Sequence, residues 1–525
     1  MRTVEDNYAL QFNQRINSFG HGRFRDNFYK IRPVLFLIDD TRSFSKISAE
    51  SSFAESPYYE NILQKYNYDL EDNFDGYNTT TDDPSSVYRN DNYNFFFSDK
   101  TSDYSFFMNG VFETDFTTDI DNQKNSSYIR AGMILGGKID NFNYYFFATN
   151  GKSFGDKNVY SGDSRFRGNY KYNESAESSF FDETHGFLSY TNKNLEIKIG
   201  RDYVRLGHSA NFPLLDNSGL PLDMLSVQVQ TEFFTYSHLH AKLLDRIVVT
   251  QDSISGPVNY SEDKHLAYHR FSINLFNSLI LGFGEFVIYS GRGLDISYLN
   301  PFSFYKSIEH NNRDRDNSIL FMDFIFNSGR GFQPYGLVLL DDIDFSKMGT
   351  GWWGNQVIYN AGFWLHTYAG NYPFDINADW MRVEPYVFSH RIRRNNYAEN
   401  GAGLASRIIP NSYNYAVSGR LFISPRLNIA LSYLYFSHGT NIYDLNGNLV
   451  FNAGGNINEG KRVSDPDVIH FGEGEIEHSH NIRFELMWEF IRNFRLTFGI
   501  DYNEKKSKNL ITQELFNHIR IMIKF

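Results

Sequence analysis

One strand–loop–strand stretch gathers the side chains best suited to chemistry. Glu285, Arg292, Tyr298, Asn300 and Arg313 all fall between Gly282 and Asp323, with Tyr305 and His310 among them. The types suit recognition of a glycan. Flat rings stack on sugar faces, and planar guanidinium groups pair with the carboxylates of acidic sugars. A plainer reading stands beside this one. The run Asn311-Asn312-Arg313-Asp314-Arg315-Asp316 has the composition of a solvated loop, and Glu285 with Arg270 and Arg292 could form a salt bridge that only holds structure together.

Other chemistries find less support. His478 and His480 share one face of a strand beside Glu477, but no third ligand is fixed, so no metal site is expected. His238 and His240 have no evident nucleophile partner, so no catalytic residues are assigned. Gly291-Arg292-Gly293 and Gly329-Arg330-Gly331 read as sharp turns rather than phosphate cradles. With no cysteine, thiol nucleophiles, thiolate metal sites and disulfides are excluded. A net charge of −12 argues against nucleic acid as a partner.

The elements that position these residues must be strands. Aromatic residues make up 17% of the 525 residues, yet mean hydropathy is −0.46. That combination suits strands that show apolar side chains to lipid and polar ones to a wet lumen. No apolar run approaches the ~20 residues of a membrane helix, and a closed barrel needs none. From Asp103 the hydrophobic period is two. Leu195, Ile197 and Ile199 alternate with Glu196 and Lys198; Ile482, Phe484, Leu486 and Trp488 alternate with Arg483 and Glu485. Near Glu285 parity is ambiguous. Leu279, Leu281 and Phe283 share its face while Gly282 and Gly284 take the other, so either the glycines mark a bulge that turns Glu285 inward or Glu285 lies at the rim.

Connections alternate in length. Short turns lie near 139–141, 191–194, 276–279, 328–332, 424–426 and 491–493, and long polar loops near 151–183, 204–221, 251–263, 291–316, 392–411 and 438–477. This is the pattern of outer-membrane barrels, and it predicts about 18 strands with both ends in the periplasm. Two segments resist assignment: Ser237–Thr250, one strand or two, and His366–Asp379, long for a turn. The last strand ends on Phe525 with Ile519, Ile521 and Ile523 on its face, like the terminal strand read by the barrel-assembly machinery. Residues 1–100 do not alternate. A short helix or turn is expected near Pro33 within 27–40, a further helix within 48–66 and loop over 69–94, giving an N-terminal periplasmic or plug region ahead of a barrel over 101–525. Met1–Asn7 carries no charged and apolar leader pattern, so export would require a signal peptide that this sequence does not display.

Several segments carry a resemblance. Gly200-Arg201-Asp202-Tyr203 with Gly207, Leu214 to Pro221, His269-Arg270, Gly284 to Tyr289 and Tyr298-Leu299-Asn300-Pro301 resemble the Wzi family of capsule-assembly outer-membrane proteins, in order over roughly residues 185–440. Within it the overall pattern resembles the RemB-like gliding-motility proteins. The resemblance implies an 18-stranded barrel with helical elements closing the lumen, and a role in binding surface polysaccharide without catalysis.

The expectation is therefore an all-β fold, a transmembrane antiparallel β-barrel in the cell outer membrane, with a partly helical plug. Its function would be to bind or guide surface polysaccharide in capsule assembly, attachment or gliding. Glu285, Arg292, Tyr298, Asn300 and Arg313 are the candidate glycan-binding group, in a cleft where the 291–316 loop folds over the barrel mouth. Expected partners are surface polysaccharide, outer-membrane lipid and the assembly machinery through Phe525; no cofactor is expected. An open porin and a barrel enzyme acting on lipid or glycan are the alternatives, since fold alone does not choose among them.

Overall fold

The computed structural model describes residues 26, 28–31, 97–100, 104–156, 166, 169, 171–173, 176–216, 221–245, 248–252, 256–313, 315–424, 427–491, 494–508 and 510–524. Eighteen long antiparallel strands close on themselves. The first six are β1 Tyr104–Asp119, β2 Lys124–Ile139, β3 Phe142–Gly155, β4 Ser178–Thr191, β5 Leu195–Asp202 and β6 Leu222–Gln230. Then come β7 Phe234–Leu244, β8 Asp263–Leu275, β9 Leu279–Ser290, β10 Asn317–Phe326, β11 Phe332–Asp342 and β12 Gln356–Ala369. The last six are β13 Tyr372–Val383, β14 Ser412–Ser424, β15 Leu427–Thr440, β16 Glu475–Ile491, β17 Phe494–Ser507 and β18 Leu510–Lys524. Pairing of β18 with β1, from Phe516 opposite Asp119 to Lys524 opposite Val111, closes the cylinder.

Alternation builds the wall. Ile199, Phe271, Leu281, Phe283, Met322, Phe324, Leu431, Trp488 and Ile519 are exposed on the outside, whereas Lys198, Arg270, Asp323, Asn428, Glu485 and Thr497 are buried within. A lysine or arginine facing lipid at mid-membrane would cost about 2–4 kcal/mol, which keeps the charged set inside. Phe525 lies outside the described residues, as do 48–66 and 69–94.

Two expectations need correction. His366–Asp379 belongs to the β12–β13 hairpin, whose strands meet at Gly370 (φ 63°), a left-handed conformation that glycine adopts without strain. Ser237–Thr250 is neither one barrel strand nor two: β7 ends at Leu244, and Val248–Asp252 pairs with Gly256–Tyr260 in a hairpin of its own. Within 27–40, Tyr29–Ile31 is a strand, paired with Val204–Leu206, and the helix or turn expected near Pro33 lies outside the described residues.

The lumen is filled where the 203–216 and 384–411 connections turn inward. Phe28, Leu206, Phe212, Leu214, Tyr397 and Leu404 pack with wall residues Tyr268, Phe286 and Phe321 in one apolar core. Two clusters of charge inside are ion-paired. Arg270 bridges Asp26 and Asp323, and Asp323 also meets His208 at 2.7 Å. Arg130 joins Glu113 and Glu183 at 2.6 and 2.7 Å. Gly282 and Gly284 serve this interior. A Cβ on Gly282 would strike the Arg270 guanidinium and Asp323, and one on Gly284 the Phe321 ring. The glycines therefore mark close packing, not a bulge: the β9 register is unbroken against both neighbours.

Candidate functional site

Unbroken register leaves Glu285 on the outer face, in line with Leu281 and Phe283, yet it is fully buried. The 291–316 connection explains this by folding against the outer wall above the apolar belt. Its helix α1, Tyr305–Asn311, begins over Glu285. The Tyr305 N–H donates to Glu285 Oε2 at 2.9 Å, and His269 Nε2 lies 2.7 Å from the same oxygen. The expected partnership of Glu285 with Arg270 and Arg292 is corrected accordingly. Arg270 points into the lumen, and Arg292 serves another carboxylate.

Arg292 grips Asp316 with two parallel hydrogen bonds of 2.8 and 2.6 Å, reaches Asp295 at 3.0 Å and lies over the Tyr289 ring. Tyr298 is buried and donates to Asp316 at 2.6 Å. Burial, and next the Asp316 carboxylate, push the Tyr298 hydroxyl well above the usual phenol range. Burial works against the Asp295 carboxylate, but hydrogen bonds from Ser297 and the Arg292 contact still hold it below its ordinary value. Glu285, Arg292 and Tyr298 thus tie down one loop. Asn300 and Arg313 are exposed on it; the Asn300 side chain accepts from the Phe302 N–H, and Arg313 sits at a positive φ of 65°.

The loop so fixed forms one wall of a rim cavity of about 220 Å³. Lys306 and Glu309 come from α1, Asp341 and Asp342 from the end of β11. Trp353 comes from the β11–β12 connection, Arg391 from the β13–β14 connection and Lys461 from the β15–β16 connection. Trp353 is half-buried, edge-on to Tyr386 at 6.0 Å, with the Lys461 ammonium 5.3 Å from its ring centre. Lys461 also pairs with Asp467 at 3.0 Å. An indole face beside ammonium, guanidinium and carboxylate groups can stack on a sugar ring and exchange hydrogen bonds with hydroxyls in both directions.

Sequence reasoning missed this cavity because its residues come from separated segments. The Trp352-Trp353 pair in a polar connection was the one signal available.

A closed eighteen-stranded barrel with an apolar outer belt and a filled lumen is an integral outer-membrane protein. The family model for capsule assembly protein Wzi matches residues 122–514, and the chain belongs to that family. Among solved structures it is similar to Wzi of Escherichia coli, described as an outer membrane protein involved in group 1 capsule assembly and a carbohydrate-binding β-barrel. That match has 12% identity and a TM-score of 0.56, over 100% of this chain and 99% of that one. A BenF-like porin from Pseudomonas fluorescens Pf-5 matches at 9% identity and TM-score 0.45, over 80% of this chain and 98% of the porin. Acinetobacter baumannii OccAB4 matches at 11% and 0.43, over 81% and 98%. No curated protein matches. None of these matches carries a link to gliding motility.

Proposed function

We propose that this barrel holds surface polysaccharide at its rim cavity, as a binding protein of capsule assembly without catalysis. The observation that carries the reading is the convergence of Trp353, Lys461 and α1 on one cavity at the long-loop end of the barrel. A volume of about 220 Å³ is below the ~300–1,000 Å³ that encloses a drug-sized ligand, and suits one unit of a chain that continues into solvent. The carbohydrate binding of E. coli Wzi supports the same class of ligand. In this reading Glu285, Arg292 and Tyr298 position the α1 wall, while Asn300 and Arg313 are the members of the candidate group open to direct contact. Residues 1–100 supply part of the plug, as Asp26 beneath Arg270 and Phe28 in the core suggest.

The test is retention of purified surface polysaccharides by the detergent-solubilised full chain. Lys461→Ala should lose a charge-assisted hydrogen bond of about 1.5–3 kcal/mol, roughly a tenfold to hundredfold loss of affinity. Trp353→Ala should weaken retention by roughly tenfold through lost stacking. Undiminished retention by both variants, at unchanged thermal midpoints, would remove the cavity as the site.

A further inference from the structure

Beneath the 291–316 connection lie four imidazoles. His238 and His240 on β7, and His265 and His269 on β8, share the outer face of the barrel, with His238 opposite His269 in register. Tyr305 of α1 stacks on His269 at 4.1 Å between ring centroids, and Tyr289 stacks on His265 at 4.9 Å. His240 and His265 meet edge-on at 5.9 Å. These are rings that take up a proton near pH ~6.5 in water, and here they form the floor on which α1 rests.

Among the described residues, His238 Nε2, His240 Nδ1, His265 Nδ1 and His269 Nδ1 are each buried without a hydrogen-bond partner. One link is directional. The Asp295 N–H donates to the Tyr289 hydroxyl oxygen at 3.0 Å, which sends the Tyr289 proton to His240 Nε2, 2.8 Å away. A proton on that nitrogen turns the acceptor into a donor and strands the hydroxyl proton of Tyr289. Tyr289 is also the residue that ties down the start of the 296–299 turn. Similarly, Tyr305 donates its proton to the Tyr298 carbonyl at 2.9 Å while lying 3.4 Å from His238 Nδ1.

The charged and titratable groups facing the floor are Tyr236, Lys242, Asp263, Glu285 and Tyr289 from the strands, with Arg292, Asp295, Tyr298 and Tyr305 from the loop. Lys242 pairs with Asp263, Arg292 pairs with Asp295, and Glu285 holds His269. Among the described residues, no carboxylate pairs directly with His238, His240 or His265. A proton on any of these three adds charge to a buried layer without a contact partner.

We infer that this histidine floor is an acid-operated latch on the α1 wall of the rim cavity. Near neutral pH α1 is docked and the cavity complete. As pH falls below about 6.5 the rings gain protons more favourably in the undocked state, α1 lifts and the cavity opens. The consequence for polysaccharide rests on the rim-cavity reading; the latch itself does not.

The chain has no cysteine, so Ser307→Cys, exposed on α1, accepts a single spin label on the full-length protein. Its mobility should rise as the solution is taken from about pH 7.5 to about pH 4.5, across the imidazole range. A label at Asp121→Cys, in the β1–β2 turn, should not change. The His238→Gln, His240→Gln, His265→Gln triple variant should keep the Ser307 label immobile in acid. A wild-type label that stays immobile throughout overturns the latch without recourse to any variant, and so does a folded triple variant that still loosens. Polysaccharide retention is measured alongside. A label freed in acid with retention unchanged leaves the latch standing and sinks the rim cavity as the binding site.

Discussion

Glu285 shows how a residue can be singled out as unusual while its place stays open in the sequence. A carboxylate among Leu281 and Phe283 reads as an error in the lipid belt, which leaves an inward turn or a place at the rim as the readings open to the sequence alone. The actual solution is a lid: α1 lies over the carboxylate and supplies backbone N–H groups to it. Two substitutions separate its roles. Glu285→Gln keeps an oxygen for the Tyr305 N–H, whereas Glu285→Ala leaves that buried donor unsatisfied, a loss of about 1–3 kcal/mol. Amide exchange at Tyr305 should therefore stay slow in the first variant and quicken in the second. Equal protection in both would mean that Glu285 does not hold α1. Arg292→Ala abandons Asp316, which is fully buried. Its cost should fall toward the lower end of about 3–5 kcal/mol, because the guanidinium is partly exposed, and should read as a lowered thermal midpoint.

The strand periodicity made most of the wall legible, because a period of two is local and each lipid-facing position excludes charge independently. Parities at Leu195–Ile199, Leu427–Tyr435 and Ile482–Trp488 stand in the structure as the sequence implies. The missed tight turn at Gly370 and the outlying hairpin after Leu244 have a common cause: periodicity marks strands without saying which neighbour each joins. Loop packing was not legible at all, since the fold of 291–316 onto the outer wall depends on His269 and Glu285, in strands the loop either follows at a distance or leaves. The long and short connections do predict sides. An epitope tag at Asn446, on the exposed tip of the 442–451 hairpin, should be stained on intact cells. A tag at Asn192 should be stained only after the outer membrane is opened. Asn452, within the same long connection, is fully buried by contacts to Gly460 and Asp465, so a tag there should disrupt the rim rather than report on it.

At the scale of the whole molecule the decisive question is whether the barrel is a channel. The interior answers through its packing. The core around Phe28, Phe212 and Tyr397 reaches from the inward connections to the wall, and Arg270 pins it by joining Asp26 of the N-terminal region to Asp323 of β10. Such a lumen should be nearly silent in planar bilayers, whereas an open porin passes steady current. Arg270→Ala makes the sharper test. Removing one cation leaves two buried carboxylates facing each other, a penalty of about 3–5 kcal/mol or more. Both carboxylates then gain by admitting water, and the contact between plug and wall is the weakest place for it to enter. The variant should show flickering conductance at unchanged barrel closure, with the folded barrel still resisting detergent at room temperature. Stable, porin-like current through the wild-type protein would mean that the plug does not seal. Silence in both would assign the seal to apolar packing and reduce the Arg270 network to a structural bridge within it.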